Sequence, residues 1–136
     1  MTPEVEAHLA FSRAKILEAE DILEGTKQWA VVAHSAYLAA LSAARAIVRH
    51  RTGKTPKTHS GTQSEISRLA QFDRRIDRSF SAFLARGYEI KSDVDYGDQE
   101  ADEVTREEAA DALATTTRFV AHAKWLLAQP EPPAAP

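Results

Sequence analysis

The sequence predicts an all-α fold, an antiparallel bundle of four or five helices. Apolar residues recur at steps of three and four along several long stretches. No stretch alternates apolar and polar residues as a half-buried strand does. Hydroxyl residues with cap spacing and glycines mark where the helices begin and end.

The central element runs from Lys27 to Arg51. Trp29, Val32, Ala33, Ala36, Tyr37, Ala40, Leu41, Ala44, Ile47 and Val48 repeat along one helical face. At about 1.5 Å per residue this helix is roughly 35 Å long. Alanines 36, 40 and 44 line a strip where a neighbour can come close. Gly53 and Pro56 stop it. Before it, Thr2-Pro3-Glu4 reads as a helix start, and Val5, Leu9, Ile16 and Leu23 mark a buried face that Gly25 closes. The short turn between them makes the first two helices antiparallel.

After a polar loop from Thr52 to His59, Ser60 and Gln63 have capping-box spacing for a short third helix with Ile66, Leu69 and Ala70 inside and Phe72 at its end. Ile76, Phe80, Phe83 and Leu84 carry a fourth helix from about Asp73 toward Tyr88, with Gly87 its weak point. Ser92 to Val104 shows no periodicity and reads as a loop. Thr105 and Glu108 form a second capping box, opening a last helix through Ala109, Leu113, Thr116, Val120, Ala123 and Leu127. One domain over residues 1–128 is expected, followed by a disordered tail, 129–136, with four prolines in eight residues.

Composition removes several kinds of chemistry. There is no cysteine, which excludes disulfides, thiolate metal sites and cysteine nucleophiles. The five histidines, at 8, 34, 50, 59 and 122, lack metal-ligand spacing, so neither a metal nor a cofactor is expected. Glu4 and Glu6 stand where a signal peptide carries positive charge, and no unbroken apolar run reaches about 18 residues. A cytoplasmic protein without membrane contact is expected. The net charge of −3 conceals two opposed segments. Nine Lys or Arg lie between Arg45 and Arg78 against three acids, and ten Asp or Glu lie between Glu89 and Asp111 against two bases. A basic middle of this kind suits phosphate, or is a solvated face.

The stretch AYLAALSAARAIVRHRTGKTPKTHSG, Ala36 to Gly61, followed by RGYEIKSDVDYG, Arg86 to Gly97, resembles the small HEPN-domain proteins (higher eukaryotes and prokaryotes nucleotide-binding). The resemblance spans nearly the whole chain in the order of its features: an alanine-rich second helix, a KTH-S-G loop, a short helix, an R-x-x-x-D-Y-like segment and a terminal amphipathic helix. It implies a four-to-five-helix bundle that pairs as a two-fold dimer. Such proteins are encoded in toxin–antitoxin or defence loci and often work beside a minimal nucleotidyltransferase. Some members are metal-independent endoribonucleases with an R-x4-6-H motif, usually in a late helix. This chain matches it once, at Arg45-Ala-Ile-Val-Arg-His50 in the second helix, while the last helix offers Arg118-Phe-Val-Ala-His122, one residue short. At the R-x-x-x-D-Y position stands Lys91-Ser-Asp-Val-Asp95-Tyr96, where lysine keeps the charge and loses the guanidinium fork.

The candidate catalytic residues are therefore Arg45, His50 and His59, and the candidate ligand contacts are Arg49, Lys54, Lys57, Lys91, Asp95 and Tyr96. A histidine can move the 2′-hydroxyl proton of RNA while an arginine holds the phosphate. Residues five apart on a helix point about 140° from one another, so Arg45 and His50 need a dimer crossing or local unwinding to converge. His59 is either a phosphate contact or a cap and tie for its loop, to Asp95 or Tyr96. Arg45 is either a phosphate contact or a structural arginine paired with an acid such as Asp95. Two functions follow from these residues. One is a dimeric module that binds RNA, a nucleotide, or a nucleotidyltransferase or antitoxin partner. The alternative is an endoribonuclease toxin with an Arg/His pair at a dimer interface.

Overall fold

The computed structural model describes residues 1–95 and 104–131, with side chains for 1–87 and 104–131. The described residues form five helices and no strand: α1 (Pro3–Gly25), α2 (Trp29–Thr52), α3 (His59–Phe72), α4 (Arg78–Asp95) and α5 (Arg106–Leu127). Helix α2 packs against each of the other four. It is long and apolar enough to cross a membrane, yet 78% of its most apolar window lies buried inside the bundle.

Small residues explain how one helix can serve four neighbours. Ala36, Ala39, Ala40, Ala43, Ala44 and Ala46 are all fully buried, so burial extends well beyond the single predicted strip. Backbones approach closely enough for side-chain hydroxyls to reach carbonyls on the facing helix. Ser12 Oγ donates to Ala39 O at 2.8 Å, and Ser42 Oγ donates back to His8 O at 2.8 Å, joining α1 to α2. On the other side Thr116 Oγ1 donates to Ala36 O at 3.0 Å, joining α5 to α2. All three hydroxyls are buried, where an unmade hydrogen bond is costly. Thr116→Val keeps the shape and removes the donor, and is expected to lower unfolding free energy by about 1 kcal/mol in a urea titration.

The caps follow the sequence in part. Thr2 Oγ1 accepts from Val5 N, and Thr105 Oγ1 from Glu108 N, as their spacing predicts. Gly53 closes α2 in the left-handed conformation, φ 76°, which only glycine takes without strain. The cap of α3 is Thr58 and not Ser60: Thr58 Oγ1 accepts from Gly61 N at 2.9 Å, making His59 the first helical residue.

Helix α4 begins five residues later and ends seven later than expected. Asp73 instead ends α3. Its own side chain turns back onto the turn, while Asp77 starts α4 by accepting from Ser79 N at 2.8 Å. Ile76 is buried from the turn itself, which is why it kept step with the helical apolar residues. At the other end the helix runs through Ser92 to Asp95, the first part of the stretch expected to be a loop. The rest of that stretch, up to Glu103, lies outside the described residues. Gln129 to Glu131, expected to open the disordered tail, lie against the bundle: Arg75 donates to Pro130 O at 3.1 Å, and Glu131 lies 3.8 Å from His50. Residues 132–136 lie outside the described part.

Candidate functional site

The basic residues at the end of α2 point to three different places. Arg45 acts on α1: burial lowers the proton affinity of His8, and the charges of Arg45 and then Arg49 lower it further. Arg45 Nε is buried with no hydrogen-bond partner among the described residues. Arg49 lies 4.0 Å from Glu4, also on α1. His50 faces the chain beyond α5, at Glu131. Arg45 and His50 thus diverge within the chain, as five-residue spacing on an unbroken helix requires.

Arg51 turns inward. Its guanidinium reaches Asp73 Oδ2 at 2.7 Å, and Arg75 grips the same carboxylate through Nε at 2.9 Å and Nη2 at 3.0 Å. Asp73 is 3% exposed. This pair of arginines on one buried carboxylate fixes the α3–α4 turn.

His59 is drawn into the core edge. Its Nδ1 lies 2.6 Å from the Tyr37 hydroxyl, and the two rings stack at 5.6 Å. Lys54 and Lys57 line an open cleft of about 700 Å³ with Arg68, which is already paired to Glu65 at 2.7 Å. Lys91 and Asp95 fall on the backbone of α4 and their side chains are outside the described part; Tyr96 lies outside the described residues altogether.

A larger basic site lies elsewhere, at the α3–α4 turn against the second half of α5. An open cleft of about 940 Å³ is lined by Arg74 and Arg75 from the turn, by Arg78 at the start of α4, and by Arg118 and His122 from α5. Among the described residues Asp77 is its one acid. The Asp77 carboxyl is held below its usual range by hydrogen bonds from Ser79 and then by the charge of Arg118. Arg75 is committed to Asp73. Among the described residues Arg74, Arg78 and Arg118 have no carboxylate within ion-pair distance.

His122 is positioned by the turn. Its Nε2 lies 2.5 Å from the Arg75 carbonyl oxygen. A carbonyl only accepts, so Nε2 carries the proton and Nδ1 is left as the acceptor of the neutral ring. The Arg51–Asp73–Arg75 cluster therefore reaches His122 through the Arg75 backbone. No group of three His, Asp or Glu converges among the described residues.

Each of these residues is visible in the sequence, but their convergence is not. Arg74, Arg75 and Arg78 belong to the basic middle, and Arg118 with His122 are an i, i+4 pair that reads as solvated or interfacial. The missing link is tertiary. Forty residues separate Arg78 from Arg118 by number, and nothing local says that α5 packs across the turn.

Four helices around an alanine-rich central one, with a cationic cleft at the turn before the fourth, define an all-α domain with a surface suited to anions. The chain belongs to the HEPN-domain family: the family model for the HEPN domain matches residues 5–125. No curated protein matches the chain significantly.

Proposed function

We propose that the chain is an RNA- or nucleotide-binding HEPN module that holds phosphates in the cleft between the α3–α4 turn and α5. The observation that carries this is the set of Arg74, Arg78 and Arg118, three guanidiniums around one cleft with no carboxylate within ion-pair distance among the described residues. A guanidinium offers a phosphate two parallel hydrogen bonds and keeps its charge at any physiological pH. A cytoplasmic setting, two-fold pairing, a toxin–antitoxin or defence locus, and a minimal nucleotidyltransferase or antitoxin as partner belong to this reading through family membership. The test is a fluorescence-polarisation titration with a labelled oligoribonucleotide. Arg118→Gln is expected to weaken binding about tenfold, as loss of one charge-assisted hydrogen bond does. Unchanged affinity in Arg118→Gln and Arg74→Gln alike contradicts the proposal.

A second reading, a metal-independent endoribonuclease, is favoured by the arrangement of His122. With Nε2–H given to the Arg75 carbonyl, Nδ1 is the ring atom that can take a proton. In that chemistry Nδ1 removes the 2′-hydroxyl proton and the 2′-oxygen attacks phosphorus. The bond to the 5′-oxygen breaks, and that oxygen takes a proton from solvent, while Arg118 stabilises charge on the non-bridging oxygens. The products are a 2′,3′-cyclic phosphate and a 5′-hydroxyl. The same chemistry from Arg45 with His50 or His59 requires a dimer to assemble it. Incubating cellular RNA with the protein in EDTA separates these forms. Cleavage lost in His122→Ala and kept in His50→Ala and His59→Ala supports the α5 site; the reverse pattern assigns the dimer-interface site. No cleavage by wild type leaves the binding module alone.

A further inference from the structure

Trp125 stands out on α5. Its neighbours Leu126 and Leu127 are buried, whereas its own side chain is 48% exposed. The indole is not loose: it stacks on the His122 ring, with centroids 5.4 Å apart and planes 24° from parallel. Arg118, His122 and Trp125 fall at i, i+4 and i+7, so they form one stripe along α5 about 10 Å long. The stripe begins in the basic cleft and ends on the indole.

We propose that Trp125 is a stacking platform for an unpaired nucleobase whose flanking phosphates lie on Arg118, Arg74 and Arg78. The ligand is then a single strand. This rests on the reading that the cleft binds RNA phosphate, and adds what the ligand presents beside the phosphates. The imidazole occupies one side of the indole and holds its orientation, leaving the remainder of the ring for a partner. Every base has a π-face that can lie on an indole, and a groove of cations beside such a ring is the way single strands are bound without reading their sequence. A base inside a duplex has both faces covered by its neighbours, and the deep groove of A-form RNA does not admit a side chain to them.

The chain has two tryptophans, so Trp29→Phe leaves Trp125 as the sole indole reporter. In that background a short single-stranded oligoribonucleotide is expected to quench the indole emission saturably, and a blunt duplex of the same sequence to quench it far less. Trp125→Leu is expected to weaken single-strand binding about tenfold, and Trp125→Phe to restore most of it. Binding of inorganic polyphosphate, which has charge and no bases, should be the same in wild type and Trp125→Leu. If polyphosphate and RNA both bind through Arg118 while Trp125→Leu binds RNA as wild type does, the stacking proposal is overturned and the phosphate site stands. If neither ligand responds to Arg118→Gln, both fall. A Trp125→Leu chain with altered sedimentation and unaltered RNA affinity makes the indole a contact between copies and also overturns the proposal.

Discussion

Gly87→Ala is expected to destabilise the fold by about 3 kcal/mol, the upper end of what overpacking a core costs. The direction is opposite to the ordinary one, since replacing glycine inside a helix with alanine gains about 0.5–1 kcal/mol. A Cβ at Gly87 would collide with Tyr37 Cδ1 and stand 2.8 Å from Cγ and 2.9 Å from Cε1, so it meets a whole ring edge. Tyr37 cannot swing aside cheaply. It is 2% exposed, its hydroxyl lies 2.6 Å from His59 Nδ1, and its ring is stacked on the same imidazole. The residue that sequence marks as a weak point of α4 is therefore a place where α2 and α4 come into close approach. Gly25 supplies the control, because a Cβ there would meet nothing within 4 Å: Gly25→Ala should be neutral or slightly stabilising. Urea unfolding of both variants checks the pair. Combining Gly87→Ala with Tyr37→Ala should cost less than the sum of the two, because the second substitution removes the clash.

The second large effect is at Asp73. Asp73→Asn keeps the side chain's shape but leaves Arg51, whose side chain is 9% exposed, facing a neutral group. Removing one partner of a buried ion pair costs about 3–5 kcal/mol, because the other charge stays uncompensated. The cost should depend on pH in a defined direction. Hydrogen bonds from Arg75 and then Arg51 hold the Asp73 carboxyl well below the usual carboxylate range, against the opposing effect of burial. The folded chain binds this proton more weakly than the unfolded chain, whose aspartates titrate at about 3.9. The stabilisation is thus complete above about pH 5 and is lost as pH falls below about 4 toward the folded value. Urea titrations at descending pH should show the gap between wild type and Asp73→Asn narrowing below about pH 4. Near pH 7 the same variant should also disturb His122, since Asp73 holds the turn whose Arg75 carbonyl accepts a hydrogen bond from His122 Nε2.

Most of the bundle was legible because its signals are local. Thr2, Gly53 and Thr105 cap where their spacing says they should, and the apolar steps of α2 from Val32 onward and of α5 end in buried side chains. The errors lie where a tertiary contact imitates or replaces a local one. Ile76 is buried from a turn and so lengthened the apparent fourth helix backward. Ser92 to Asp95 are helical without an apolar period. Ser60 has cap spacing, yet Thr58 takes the cap, which sets His59 against Tyr37. For the site, Arg45 and His50 diverge on the unbroken helix as their spacing predicts, His50 toward Glu131. Arg118 and His122 sit on one helical face, and only the fold supplies Arg74, Arg78 and the Arg75 carbonyl that orients the imidazole.

The most direct test compares the two basic regions by the salt dependence of RNA binding. For single strands the slope of log K against log salt falls by about 0.7 for each phosphate contact removed. Arg74→Gln/Arg118→Gln is expected to flatten the slope by about 1.4 and weaken binding, while Arg45→Gln/Arg49→Gln leaves both nearly as in wild type. A slope that flattens only in the Arg45/Arg49 variant would contradict the α5 cleft as the phosphate site and return it to the end of α2.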